Sequence, residues 1–154
     1  MKSHTPLEGV LRDGAHYLSA RVYFADTDFT GVIYHARYLE FLERGRSDFL
    51  RLLGLHHQTL SCGVLGETAF WVVRRLGLDF KKPGHIDDIL TIKTQLRKIS
   101  GARVFMTQHI TCQNTVLVEA DVEAALINQA GAPQRLPTAL VAKLAFQNPA
   151  LTNH

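Results

Sequence analysis

One segment constrains the architecture more than any other, a single long helix-period stretch set among strand-period segments. Between His35 and Leu53, the residues Tyr38, Leu39, Phe41, Leu42, Gly45, Phe49, Leu50, Leu52 and Leu53 recur at apolar spacings of three and four. Arg37, Glu40, Glu43, Arg44, Arg46 and Asp48 supply the charged positions, and Glu40 and Arg44 stand one helical turn apart. That is the period of an amphipathic helix with a broad apolar face, which predicts a deeply packed helix rather than one on the rim. Gly45 in its interior costs about 1 kcal/mol relative to Ala, which a close approach of another backbone would offset. Gly54 supplies the C-terminal stop.

The remaining segments alternate with a period of two. From Tyr17 to Phe24, the residues Leu18, Ala20, Val22 and Phe24 share one face, and Ser19, Arg21 and Tyr23 the other. Thr68 to Phe80, Ile89 to Ile99, Arg103 to Cys112 and Val116 to Asn128 are rich in Val, Ile, Thr and Phe, and turn residues at Pro83-Gly84, Ser100-Gly101, Gln113-Asn114 and Gly131 separate or close them. A short segment around His56 to Leu60 has no clear period, and Thr138 to Leu144 suggests a short terminal helix. One strand, one thick helix and four more strands give an α+β layout. A sheet with only one long helix to cover must curl round it, which is the hotdog fold, a curved antiparallel sheet wrapped around a central helix. Residues 17–146 are expected to form this single domain, residues 1–16 a loose lead-in and residues 147–154 a tail.

Composition narrows the class. The 154 residues are 46% hydrophobic and 20% charged, with a net charge of +3, as expected of a globular chain with one core. The basic residues are scattered as Arg74-Arg75, Lys81-Lys82 and Arg97-Lys98, which gives nucleic-acid binding little support. Cys62 and Cys112 are far apart, and two buried reduced thiols are expected. No apolar leader and no bilayer-length run is present, so a cytoplasmic location is the expectation.

Asp26-Thr27-Asp28 breaks the alternation between the first strand and the helix. If strand geometry persisted, both acids would point to one side. Both precede a helix N-terminus, where unpaired N–H groups and the dipole favour anions. Spacing alone favours turn and helix caps over a catalytic carboxylate at Asp28.

The run from Arg21 to Leu39, RVYFADTDFTGVIYHARYL, resembles the signature of the 4-hydroxybenzoyl-CoA thioesterase family. Within that family it is most similar to the acyl-CoA thioesterase branch encoded beside the bacterial Tol–Pal genes. The shared pattern is an aromatic residue, Asp-x-Asp, two variable positions, Gly, an apolar pair, Tyr-His, then a helix with Tyr-Leu-x-Phe and an acid–Arg pair. The similarity continues through Phe70-Trp71-Val72-Val73-Arg74-Arg75. Phe29-Thr30 departs from the small residues of the family, which bears on pocket shape and not on the acid. The resemblance implies an acyl-CoA thioesterase with Asp28 as the essential carboxylate, acting as nucleophile or general base. Asp26 and Tyr34 occupy supporting positions. His35 stands where the family sets a backbone N–H against the thioester oxygen, with an imidazole that can orient Asp28 or substrate. Gly31 is where the backbone approaches the acyl group, although a turn glycine is the plainer reading. The resemblance further implies a homodimer or homotetramer with the site at a subunit interface, and no metal or bound cofactor, CoA being part of the substrate.

Other candidates are weaker. Arg97, Lys98 and Arg103 flank one turn and could meet CoA phosphates, or be ordinary solvated charges. His56-His57 diverge by about 100° on a helix and make a poor metal pair. Glu67 is a lesser candidate for a second carboxylate. Two rival functions remain, a hotdog hydratase or dehydratase, whose Asn-Pro spacing is missing here, and a non-catalytic module binding acyl-CoA or acyl carrier protein.

Overall fold

The computed structural model describes residues 7–55, 57–63 and 68–147. Its strands are β1 (Val10–Arg12), β2 (Ala15–Arg21), β3 (Ala69–Phe80), β4 (Ile89–Ser100), β5 (Arg103–Cys112) and β6 (Thr115–Asn128). They form one six-stranded sheet in the order β1-β2-β4-β5-β6-β3, with every neighbouring pair antiparallel. Three helices accompany it: α1 (Arg37–Leu52), α2 (His57–Ser61) and α3 (Thr138–Gln147). This is the α+β hotdog arrangement that the periodicity predicts. Register shifts between Val73 and Arg75, Leu96 and Lys98, and Ile110 and Thr111 interrupt the ladders. Such bulges increase local twist and bend a sheet, here toward the helix it must cover.

The helix α1 buries Tyr38, Phe41, Leu42, Gly45 and Phe49, a stripe recurring at three and four residues. Two apolar clusters lie along it. One gathers Tyr38, Phe41 and Leu42 with Val22, Ile92, Ile110 and Val118. The other gathers Phe49 with Leu96, Met106, Val122, Leu126, Leu140 and Leu144. Gly45 lies between them, where a Cβ would meet Ile92 Cγ2 at 2.7 Å and Thr94 Oγ1 at 3.0 Å. The close approach expected at this glycine therefore comes from side chains of the sheet rather than from another backbone. Leu39 falls off the stripe and is 40% exposed, against the expectation that it is buried.

Polar groups fasten the helix to the sheet. Gln108 is fully buried; its Nε2 donates to the Leu42 carbonyl and to Thr94 Oγ1, both at 2.9 Å, and its Oε1 accepts from Arg46 Nη1 at 3.0 Å. Asp48 Oδ2 accepts from the Gly9 N–H at 2.8 Å and meets Nε2 of the fully buried His16 at 2.6 Å. The other ring nitrogen, His16 Nδ1, is buried and has no hydrogen-bond partner among the described residues. Protonating it would bury an N–H without an acceptor. Burial accordingly pushes the His16 pKa down, outweighing the opposing pull of Asp48.

Several expectations change. The stretch to His16 expected as a loose lead-in contains β1 and the first residues of β2, paired Val10 with Tyr17 and Arg12 with Ala15. The strand expected to reach Phe24 ends at Arg21, and Phe24 begins a 3-10 turn with its side chain 82% exposed. Both cysteines are free, but Cys62 is exposed and Cys112 only half-buried. Of the expected tail, Gln147 closes α3 and residues 148–154 lie outside the described residues, as do His56 and Glu67. Among the described residues no helix is long and apolar enough to cross a membrane.

Candidate active site

The segment from Val22 to Ala36 carries the chain from the end of β2 to the start of α1, and backbone bonds hold its shape. The Asp26 carboxylate accepts from the Tyr23 N–H at 2.8 Å, and the Tyr34 N–H donates to the Asp26 carbonyl at 2.9 Å. Arg37, in the first turn of α1, sets its Nε 3.6 Å from Asp26 Oδ1, gives Nη2 to the Ala25 carbonyl at 2.9 Å and Nη1 to Glu40 Oε2 at 2.6 Å. Asp26 is therefore a brace between the 3-10 turn and the helix.

Asp28 lies in the turn that follows. Its N–H donates to the Val32 carbonyl at 2.9 Å, and its own carbonyl accepts from the Gly31 N–H at 3.2 Å. Asp28 Oδ1 accepts from the Thr30 N–H at 2.7 Å and from Thr30 Oγ1 at 2.6 Å. This is the local side-chain-to-backbone bond that Asp readily makes two residues on. The Thr30 hydroxyl foremost, then its N–H, hold the Asp28 carboxyl below its ordinary range. The Val32 N–H, on the same turn, also favours the ionised carboxylate. Strand geometry does not persist through the two acids, and each is fixed by its own turn.

Gly31 has φ +85°, and a Cβ placed on it would meet nothing within 4 Å. Its backbone conformation is what requires glycine, as in a turn. The Tyr34 and His35 rings lie tilted at 53° with centroids 4.6 Å apart, and the His35 ring meets Phe80 edge-on at 6.5 Å. Both are exposed, and no hydrogen bond joins the His35 imidazole to Asp28. His35 directly precedes Ala36, the N-cap of α1, which makes no side-chain capping bond. At this entrance the Arg37 N–H donates to the Tyr34 carbonyl at 2.8 Å and the Leu39 N–H to the Ala36 carbonyl at 3.2 Å. Tyr38 is buried beneath this region, its hydroxyl accepting from the Gly84 N–H at 3.1 Å.

Arg97, Lys98 and Arg103 lie elsewhere. Arg21 pairs with Ile89, so the Asp28 loop sits at the Ile89 end of β4. Arg97 is eight residues further along that strand, roughly 26 Å at the rise of a strand. Arg97 Nε donates to Thr107 Oγ1, the Lys98 ammonium lies 5.7 Å from the centre of the Phe105 ring, and Arg103 pairs with Glu123 at 3.2 Å. Within one chain these cations and Asp28 do not meet. His57 bonds to Ser47 at 2.8 Å, and among the described residues no cluster of three metal-binding side chains exists.

Sequence reasoning missed Thr30 as the residue that fixes Asp28, although the Asp-x-Thr spacing is the signal for it. It also missed a cavity of about 140 Å³ beside the second half of α1, with Phe49, Trp71, Leu96, Val104 and Met106 in its wall and Ser47 and His57 at its polar side. No local motif announces that cavity, because its wall comes from α1, β3, β4, β5, β6 and α3.

Comparison with known proteins agrees with the fold. The sequence model of the thioesterase superfamily matches residues 30–119, a span that opens two residues after Asp28. The chain is 36% identical over 125 residues to the acyl-CoA thioester hydrolase YbgC of Escherichia coli, covering 80% of this chain and 90% of that protein. It is 34% identical over 116 residues to the acyl-CoA thioesterase YbgC of Haemophilus influenzae, covering 75% and 83% respectively. The crystal structure of a probable thioesterase from Bartonella henselae superposes with a TM-score of 0.78 at 55% identity, over 80% of this chain and 99% of that one. A matched span of this extent, together with relatives aligned over most of their length, places the chain in the thioesterase superfamily.

Proposed function

We propose that this protein hydrolyses acyl-CoA thioesters, with Asp28 as the nucleophile. The observation that carries the reading is the Asp28 carboxylate itself, favoured in its ionised form chiefly by Thr30, in a loop that feeds directly into the N-terminus of α1. A thioester carbonyl bound beside the N–H groups of His35 and Ala36 would have its developing negative charge stabilised by them, and losing one such donor typically costs about 3–4 kcal/mol. Attack by Asp28 Oδ2 forms a C–O bond, breaks the C–S bond and releases CoA thiolate, which takes a proton from solvent. Water then opens the mixed anhydride, giving the free acid and restoring the carboxylate. The same ionised carboxylate could instead take a proton from an attacking water, the general-base route to the same products. Tyr34 and the His35 ring are proposed to border the bound thioester.

Assembly belongs to the same reading. β3 is an edge strand of twelve residues, with Phe70, Val72, Val73 and Phe80 each at least 36% exposed. A long apolar edge is a template for pairing. A two-fold pairing of β3 with its copy makes at least a homodimer, and a tetramer would join two such pairs. Antiparallel pairing brings the Ala69 end of one β3 to the Phe80 end of the other. The strand ends bearing Arg97, Lys98 and Arg103 thereby come to the side of the assembled sheet that carries the partner's Asp28 loop, where CoA phosphates would be met. A resident metal or cofactor has no place in this chemistry.

The rival reading is a non-catalytic module binding acyl-CoA or acyl carrier protein, for which the Asp28–Thr30 pair would be only a turn. Release of free thiol from a panel of acyl-CoAs separates the two. The expected outcome is turnover; CoA esters that bind without releasing thiol would overturn the catalytic reading. Light scattering at micromolar concentration should give at least twice the protomer mass, and an active monomer would contradict an interfacial site.

A further inference from the structure

The turn from Gly84 to Asp88, just ahead of β4, is joined to the Asp28 loop through Val32. Val32 and His85 face each other as an antiparallel bridge. The Ile33 N–H closes it on the Gly84 carbonyl at 2.9 Å, and the Ile86 N–H on the Gly31 carbonyl at 3.2 Å. Val32 is also the residue whose carbonyl takes the Asp28 N–H at 2.9 Å, and whose own N–H favours the ionised Asp28. A path of backbone bonds therefore runs from the turn to the acid.

One side chain closes the turn. Asp88 Oδ2 accepts from the His85 N–H at 2.9 Å and lies 3.9 Å from His85 Nδ1. This is the reach-back half of a capping box, a place where an amide oxygen serves as a carboxylate does. Asp87, beside it, takes φ +72°, a left-handed conformation that Asp tolerates better than most residues. Other ties fix the turn to the body of the protein. The Asp88 carbonyl accepts from the Val22 N–H and the Asp87 N–H donates to the Val22 carbonyl, both at 2.8 Å. A Cβ on Gly84 would meet Ile33 Cδ1 at 2.5 Å, so turn and loop are packed without slack. The titrating side chains that face Asp88 are His85, Tyr38 and Cys112, and the Cys112 thiol bonds to its carboxylate.

We propose that Asp88 is a positioning residue for Asp28, fixing through the His85–Val32 bridge where the reacting carboxylate sits. The inference rests on the proposed role of Asp28 and deepens it. What Asp88 supplies is geometry rather than charge, because its acceptor must stand where the His85 N–H points. Without that bond the bridge slackens, Val32 shifts, and the Asp28 carboxylate leaves both its donor and the thioester carbon. A displacement of about 1 Å at a reacting group costs on the order of a hundredfold in rate.

The test sets variants of the full-length chain against the parent. Asp88→Asn keeps an acceptor oxygen in place and discards the charge. Asp88→Glu keeps the charge and moves the acceptor by one methylene. Asp88→Ala removes both. For Asp88→Glu and Asp88→Ala, kcat should fall by at least about tenfold, with KM changed less. Asp88→Asn should stay within about threefold of the parent. The reverse order of Asp88→Asn and Asp88→Glu, or equal activity in the two, overturns the inference. That pair decides the matter even where Asp88→Ala fails to fold. NMR titration of the Asp28 carboxyl carbon reads its position apart from activity. In the parent and in Asp88→Asn it should titrate below the usual carboxylate range, and in Asp88→Glu it should move up part of the way. A carboxyl that Asp88→Glu leaves unmoved overturns the inference whatever kcat does. A moved carboxyl with unchanged kcat upholds the positioning and counts against Asp28 as the reacting group.

Discussion

The loop that carries Asp28 and the wall of the apolar cavity flank the two halves of one helix, yet they are built by different physics. The loop keeps its shape through short-range polar bonds, from Tyr23 to Asp26, Asp28 to Thr30 and Asp28 to Val32. Its large side chains are turned to solvent, with Tyr23 64%, Phe24 82% and Phe29 101% exposed. The cavity wall keeps its shape through packing of Phe49, Leu96, Met106 and Leu144, which come from far apart in the chain. A loop held by its backbone can spend its side chains on a ligand. A packed wall needs its side chains to stand, so damage there costs stability first.

Substitutions on the two sides break that contrast or sharpen it. In the wall, Phe49→Ala should cost about 3–5 kcal/mol of stability, read from denaturant midpoints, because it empties a site that cannot fully collapse. In the loop, Asp28→Asn should leave the midpoint almost unmoved, since Asn and Asp serve equally in such turns. Its kcat should fall by at least about a hundredfold. Near-normal turnover in that variant would defeat the mechanism, and a large loss of stability would erase the distinction between the two regions.

Smaller effects follow from the titrating groups. With the Thr30 bonds in place, the Asp28 carboxylate stays ionised to lower pH than an ordinary Asp would allow. Thr30→Val removes the hydroxyl, so the acid limb of the kcat/KM profile should move up toward the usual carboxylate range, with activity near neutral pH changed by only a few-fold. The same sign applies to stability: what the ionised Asp28 contributes is present at neutral pH and is lost as pH falls through its lowered pKa. His16 gives the smallest effect. Its pKa is lowered from 6.5, so below neutrality the unfolded chain takes up a proton that the folded one refuses, and stability declines as pH falls through that value. Melting temperatures from pH 7 to pH 5 should show the decline, and His16→Gln should flatten it. An unchanged slope in His16→Gln would place the titration elsewhere.

The same contrast explains what the amino-acid order revealed. Periodicity placed α1 within two residues at its start and one at its end, because a sixteen-residue stripe repeats its message several times. It missed β1, since three residues carry no period and only the pairing with Ala15–Tyr17 makes them a strand. It assigned Leu39 to the core because a broad apolar face does not say where the sheet ends. At the site, Asp28 was legible as an acid before a helix, and the family resemblance raised it above a cap. Thr30 was legible in principle, two residues on. The cavity was not, because neighbours such as Phe49 and Leu144 meet only after the chain has folded.

Gly45 has a further consequence for the whole molecule. With Ile92 Cγ2 only 2.7 Å from where a methyl would sit, this residue is the fulcrum on which a rigid rod rests. A methyl group there would act as a wedge, levering α1 away from β4. A tilt about the middle of a rod displaces its two tips in opposite senses, so the entrance beside Asp28 and the cavity beside Phe49 would go out of alignment together. The smallest side chain in the helix thus keeps two distant places in step.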